Sequence, residues 1–197
     1  MLRKPSETVL LKNNCVQILE TERLIVRELN SAIDAEFVFE LLNSPKFIRY
    51  IGDRGVRSVD EAADFIDNRY RQSYRDHGFG LYLVELRYVA SGKDTLPTGR
   101  VSASKVGLCG FVKRDNFDHP DIGFAFLPEF EGRGYGFEST AAVMEYGRDT
   151  LGFSTVLAIT SQDNDASGKL LGKLGFMFER LIEMPDREKL KLFETHL

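Results

Sequence analysis

The segment PEFEGRGYGF (128–137) carries Gly132, Gly134 and Gly136 at alternate positions, with Arg133 between the first two. Before it, HPDIGFAFLP (119–128) reads as a strand ended by Pro128. After it, Phe137, Thr140, Ala141, Met144, Gly147 and Leu151 recur at helical spacing, which predicts an amphipathic helix from Gly134 to about Leu151. A strand, a tight glycine turn and a helix start together form an anion site. Several amides point outward unbonded, and the helix dipole adds about half a positive charge. Glycine is needed there because a side chain would block the anion or forbid the backbone angles. Arg133 either adds charge or points into water.

Three glycine patterns could apply. A phosphate-binding P-loop requires GxxxxGK[ST], and no lysine follows these glycines. A dinucleotide fold requires GxGxxG, but Phe137 stands where the third glycine belongs, and the loop falls two-thirds of the way along the chain. The third pattern is [Q/R]xxGx[G/A], met here by Glu131-Gly132-Arg133-Gly134-Tyr135-Gly136 apart from its first residue.

The elements that must position this loop follow from periodicity. ETERLIVREL (20–29) suits a strand with Leu24 and Val26 on one face. A helix is expected from about Asp34 to Asn43, with Pro45 stopping it. Ser58-Val-Asp-Glu61 is a capping box opening a helix to about Arg75, with Ala62, Phe65, Ile66 and Tyr70 inward. Strands follow at 78–89 and 106–114, joined by a polar loop at 90–105. FSTVLAIT (153–160) is a short apolar strand. Asp163-Asn164-Asp165 opens a helix with Ser167, Leu170, Leu171 and Leu174 inward and Gly175 at its C-cap. FMFERLIEM and KLKLFETH are two final strands divided by Pro185-Asp186. The order β α α β β β α β α β β predicts an α/β (α+β) sandwich, with an irregular arm at 1–14 and one domain over 15–197.

The neighbours of the glycine loop carry a resemblance. DIGFAFLPEFEGRGYGFEST resembles the strand-loop-helix of the GNAT N-acetyltransferases, in their ribosomal-protein (Rim-type) branch. NDASGKLLGKLGF (164–176) is similar to that branch's second signature, and TERLIVREL (21–29) to its opening strand. The matches stand in order and cover nearly the whole chain from residue 21. They imply a GNAT fold, with a mostly antiparallel mixed sheet of six to seven strands, helices on both faces and two splayed parallel strands. They also imply acetyl-CoA as the acetyl donor, with no metal.

The resemblance assigns the diphosphate to amides of Gly132, Arg133, Gly134, Tyr135, Gly136 and Phe137. It lays the pantetheine arm between strands 121–127 and 154–160, with backbone contacts at Phe126 and Leu127. A backbone amide on the first of these strands would also steady the oxyanion. Asn164 either holds the pantetheine or a water near the amine, or simply caps its helix. Ser167 is a hydroxyl on a leucine stripe; it either bonds back to a helix carbonyl or donates to the leaving thiolate. Leu171 occupies the place where many members carry a tyrosine acid, and Glu131 stands where Gln, Arg or Trp is usual. Asp121 is the candidate base, or else a strand-end aspartate, with Asp118, His119 and Glu85 behind it. Cys109 reads as core.

Composition agrees with this and excludes other classes. The 197 residues carry a formal charge of −4, which argues against a dominant nucleic-acid partner. Two cysteines and three scattered histidines offer no metal-ligand spacing. No apolar run spans a membrane, and MLRKPSETVLLKNN does not read as a secretory signal, so a cytoplasmic monomer or homodimer is expected. Three functions remain: an acetyltransferase acting on a protein N-terminus, polyamine or small-molecule amine; a non-catalytic acyl-CoA sensor; and a nucleotide-binding module.

Overall fold

The computed structural model describes residues 15–87, 105–184 and 187–197. The 1–14 arm, nearly all of the 90–105 loop and the Pro185-Asp186 divider lie outside the described residues. The described strands are β1 (Gln17–Glu20), β2 (Leu24–Arg27), β3 (Leu81–Leu86), β4 (Lys105–Val112), β5 (Asp121–Phe126), β6 (Thr155–Ser161), β7 (Met177–Met184) and β8 (Arg187–His196). They form one sheet in the order β1-β2-β3-β4-β5-β6-β8-β7. All neighbours are antiparallel except β5 and β6. The sheet therefore has eight strands, not six to seven.

The additional strand is β1, which lies almost wholly before the expected 20–29 strand; beyond Glu20, only Leu24–Arg27 of that stretch is extended, as β2. Thr21 N donates to Leu24 O at 2.9 Å, and the Thr21 hydroxyl accepts from Leu24 N at 3.0 Å, so Thr21–Arg23 turn the chain back. Pro45 likewise does not merely stop a helix. Helix α1 (Ser31–Leu42) ends before it, and α2 (Pro45–Tyr50) begins on it. Proline fits the first helical position because the amide it lacks would have no partner there.

Helix α3 (Val59–Phe65) passes through a π-turn (Ile66–Tyr70) into α4 (Arg71–His77). The Ser58 hydroxyl accepts from Glu61 N at 3.1 Å. The return bond differs from a standard box, because Glu61 accepts from Arg57 N rather than Ser58 N. Helix α5 (Tyr135–Asp149) lies along the sheet and α6 (Asp165–Lys173) beside β6. Of the inward stripe expected on α6 only Leu171 is buried, and Phe137 at the start of α5 is exposed.

Candidate active site

Strands β5 and β6 run parallel but share one register pair among the described residues, Asp121 with Leu157, fixed by Leu157 N donating to Pro120 O at 3.0 Å. Beyond it they diverge. The antiparallel ladder tells which backbone groups are left over. Leu127 N donates to Val106 O at 2.9 Å, so alternation turns the N–H and C=O of Phe124 and Phe126 away from β4 and toward β6. On β6, Leu197 N donates to Ser154 O at 3.0 Å, which by the same alternation turns Ile159 toward β5. Two strand edges thus face each other across a wedge, with main-chain groups between them that have no partner among the described residues.

The wedge opens toward the glycine loop. Its lining belongs to a cleft of about 1410 Å³ that brings together Asp121, Phe126, Gly132, Gly134, Tyr135, Gly136, Phe137, Asn164 and Ser167. Gly132 and Gly134 have φ of 71° and 83°, the left-handed region that favours glycine. The first bond of α5 runs from Glu138 N to Gly134 O at 3.0 Å, so the amides of Tyr135, Gly136 and Phe137 have no carbonyl behind them. Arg23, in the β1–β2 turn, holds this corner. Its Nε donates to Glu138 Oε2 at 2.7 Å and its Nη1 to Arg133 O at 3.1 Å, while its guanidinium covers Tyr135 at 4.8 Å. Thr21 and the Arg23 amide bond the other Glu138 oxygen at 2.5 and 3.1 Å. Glu138 is thereby held below the usual carboxylate range: burial raises its pKa, and these hydrogen bonds and the Arg23 charge outweigh it.

A splayed parallel pair that leads into an exposed helix mouth can accept an extended, amide-bearing chain with an anionic group at its end. The family model for the acetyltransferase (GNAT) domain matches residues 23–177. This chain belongs to the GNAT acetyltransferases. It is an acetyl-CoA-dependent enzyme of that family. The uncharacterized N-acetyltransferase YoaA of Bacillus subtilis is 30% identical over 84% of this chain and 85% of its own length. The structure of RimL, a ribosomal L7/L12 alpha-N-protein acetyltransferase in complex with coenzyme A, superposes with a TM-score of 0.71 at 13% identity. It covers 92% of this chain and 98% of the other. Spermidine N-acetyltransferase of Vibrio cholerae, solved with CoA and spermine, gives 0.68 at 16% identity over 89% and 96%.

Not every expected residue stands where the resemblance puts it. Leu127 does not offer its backbone to the wedge, because its N–H goes to Val106 and its carbonyl accepts from Phe130 N at 3.0 Å. Phe124 has the free edge instead. Arg133 does not line the cleft, and its guanidinium lies over Phe130 at 5.9 Å. Asn164 is the N-cap of α6, its Oδ1 accepting from Ser167 N at 3.1 Å. The Asn164 amide nitrogen and the Ser167 hydroxyl show no protein partner among the described residues, so of the two alternatives for Ser167 the back-bond is not made.

Asp121 lies at the closed end of the wedge, 2% exposed, with Arg114 donating to both of its oxygens at 2.9 and 3.2 Å. Burial pushes its pKa up, and Arg114 opposes that through its charge and hydrogen bond. The reserve carboxylate Glu85 is committed elsewhere, to Arg27, and neither Asp118 nor His119 lines the cleft. Leu171 is fully buried where a tyrosine would be expected. Cys109 is core: burial pushes its thiol up to about 11, against its contact with Thr140 at 3.5 Å. Among the described residues, no group of three or more His, Cys, Asp or Glu could hold a metal ion, and no helix is long and apolar enough to cross a membrane.

Two features were invisible in the sequence. Thr160, 8% exposed, lines the cleft with a buried hydroxyl that has no protein partner among the described residues. Helix α2 reaches both lips of the wedge, with Lys46 paired to Glu131 and Arg49 Nη2 to Asp163 at 2.8 Å.

Proposed function

We propose that this acetyltransferase moves the acetyl group of acetyl-CoA onto a primary amine by direct attack within a ternary complex. The supporting observation is the wedge whose unpaired edges lead to the open amides of α5. An extended, amide-bearing arm laid there would complete the hydrogen bonds of Phe124, Phe126 and Ile159. Its diphosphate would meet the amides of Gly132 through Phe137. In this reading Asn164 steadies the arm, Ser167 donates to the departing thiolate, a wedge-facing amide of β5 steadies the oxyanion, and Asp121 receives the amine's proton. Residues 15–197 act as one domain in a cytosolic setting, where Cys15 and Cys109 stay reduced. The RimL and spermidine enzymes, named for a protein and a polyamine, support an amine acceptor.

The alternative, a module that holds acyl-CoA without turning it over, would share two particulars, the Arg114 pair on Asp121 and leucine at position 171. One experiment separates the readings. Thiol release from acetyl-CoA is followed with a panel of protein N-terminal peptides, polyamines and small amines, products being identified by mass spectrometry. Alongside, CoA-induced thermal shifts are measured for Gly132→Asp and Gly132→Asn. A side chain at Gly132 meets nothing within 4 Å, and Asn and Asp both reach its φ and have nearly the same shape, so the two variants differ chiefly in charge. The expected result is turnover with at least one amine, and CoA stabilisation kept in the Asn variant but lost in the Asp variant. Binding without turnover selects the sensor. Equal stabilisation in both variants removes the loop assignment, and stronger stabilisation by ATP or NAD than by CoA selects the nucleotide module.

A further inference from the structure

Glu131 is an anomaly for a diphosphate site. It puts a carboxylate next to Gly132, where repulsion would weaken binding of an anion. The structure supplies its counterweight from far away in sequence: Lys46 Nζ bonds Glu131 Oε2, across a separation of 85 residues. Three residues further along the same helix, Arg49 Nη2 bonds Asp163 Oδ2 at 2.8 Å. Spacing of i and i+3 puts both cations on one side of α2. Glu131 follows β5 and Asp163 follows β6, so one six-residue helix is tied to the two strands where they diverge. Lys46, Glu131 and Asp163 all line the cleft.

We propose that α2 is a charge clasp on the cofactor wedge: Lys46 cancels Glu131 beside the diphosphate, and Arg49 ties the opposite lip, so both act as positioning residues for acetyl-CoA. The proposal rests on the cofactor placement given above. All four side chains are substantially exposed, at 57% and 36% for the first pair and 64% and 56% for the second. Exposed pairs add little to fold stability. What they change is the charge that an incoming anion meets, and the freedom of the two lips to part. Lys46 and Glu131 therefore matter unequally: removing the lysine leaves an uncancelled carboxylate at the phosphate site, whereas removing both leaves a neutral lip.

The test is steady-state kinetics and CoA affinity for Lys46→Ala, Lys46→Ala/Glu131→Gln, Arg49→Ala, Asp163→Asn and the Arg49→Ala/Asp163→Asn double variant. Lys46→Ala is expected to raise KM for acetyl-CoA by about threefold to tenfold at low ionic strength, with kcat and the melting temperature little changed. Adding Glu131→Gln should bring KM back toward the wild-type value, and the Lys46→Ala defect should shrink as salt is added. The Arg49 double variant should be no worse than either single change, as expected of one shared contact. If Lys46→Ala leaves KM unchanged, or if Glu131→Gln fails to rescue it, the clasp is wrong. Gly132→Asp, measured in parallel, separates the two levels. If it too leaves CoA binding intact, the cofactor placement itself fails; if it alone abolishes binding, only the clasp does.

Discussion

Asp121 brings a carboxylate to a point where almost none of its surface meets solvent. Desolvation raises its pKa and Arg114 draws it back, so it takes up a proton more readily than a surface aspartate does. That suits a group asked to accept a proton near neutrality. Asp121→Asn is expected to lower kcat by about 10² or more and to flatten the rise of kcat/KM with pH. A pH profile of unchanged shape, accompanied by a lower melting temperature, would return Asp121 to the anchoring of Arg114 alone. Residue types were legible in the sequence at this scale, whereas partners were not. Arg114 is seven positions from Asp121 and met it only once β4 and β5 were in register. The partner of Glu131 is hidden in the same way, because Lys46 lies 85 positions away in sequence. That Phe124 and not Leu127 faces the wedge is likewise hidden, because which residue of a strand faces which neighbour is set by pairing, not by composition.

Among the elements, α5 best shows how the helix that carries the glycine loop is seated. Gly147 lets it come close to β4: a Cβ there would fall 2.5 Å from Phe111 Cζ and 3.3 Å from the Phe153 ring. Phe111 has no room to yield, being fully buried with Phe79 and Phe153 edge-on at 6.2 and 5.0 Å. Alanine would gain about 1 kcal/mol of helix propensity over glycine. Overpacking costs about 1–3 kcal/mol, and a rigid aromatic box puts it at the upper end. Gly147→Ala is therefore expected to destabilise by about 1–2 kcal/mol net, read as a lower urea midpoint with an unchanged m-value. A stabilised variant would mean that α5 can shift on the sheet. The helix was legible from its periodicity and its N-terminal glycine, both local signals. The β1–β2 turn was not, because Thr21-Glu22-Arg23 holds no glycine, proline or asparagine to announce it. Nor was the π-turn at Ile66–Tyr70, which helical spacing read as continuous helix.

For the molecule as a whole, the half of the sheet remote from β6 is joined by one buried charge network. Arg27 of β2 donates to both oxygens of Asp34 in α1, each at 2.8 Å, and to both oxygens of Glu85 in β3, at 3.0 and 2.7 Å. Lys105 of β4 closes it with Nζ 2.7 Å from Asp34 Oδ1. Two cations and two anions balance, so the group is costly to open from one side only. Burial acts to raise the Asp34 pKa, but its hydrogen bond with Arg27, the Arg27 charge and Lys105 outweigh that and hold it below the ordinary value. A carboxylate with a depressed folded pKa contributes stability that is complete above its unfolded value, about 3.9, and fades as pH falls toward the folded one. Asp34→Asn leaves Arg27 and Lys105 with one carboxylate between them, and is expected to cost about 3–5 kcal/mol at neutral pH. That gap should stay level down to weakly acidic pH and then narrow below about 3.9, as the wild-type carboxylate protonates while the asparagine does not. Urea unfolding of both proteins across this range measures it. A gap that holds constant throughout the acid range would mean that Asp34 works by shape and hydrogen bonding alone, and that the network's charge does not bind β2, β3, β4 and α1 into one cooperative unit.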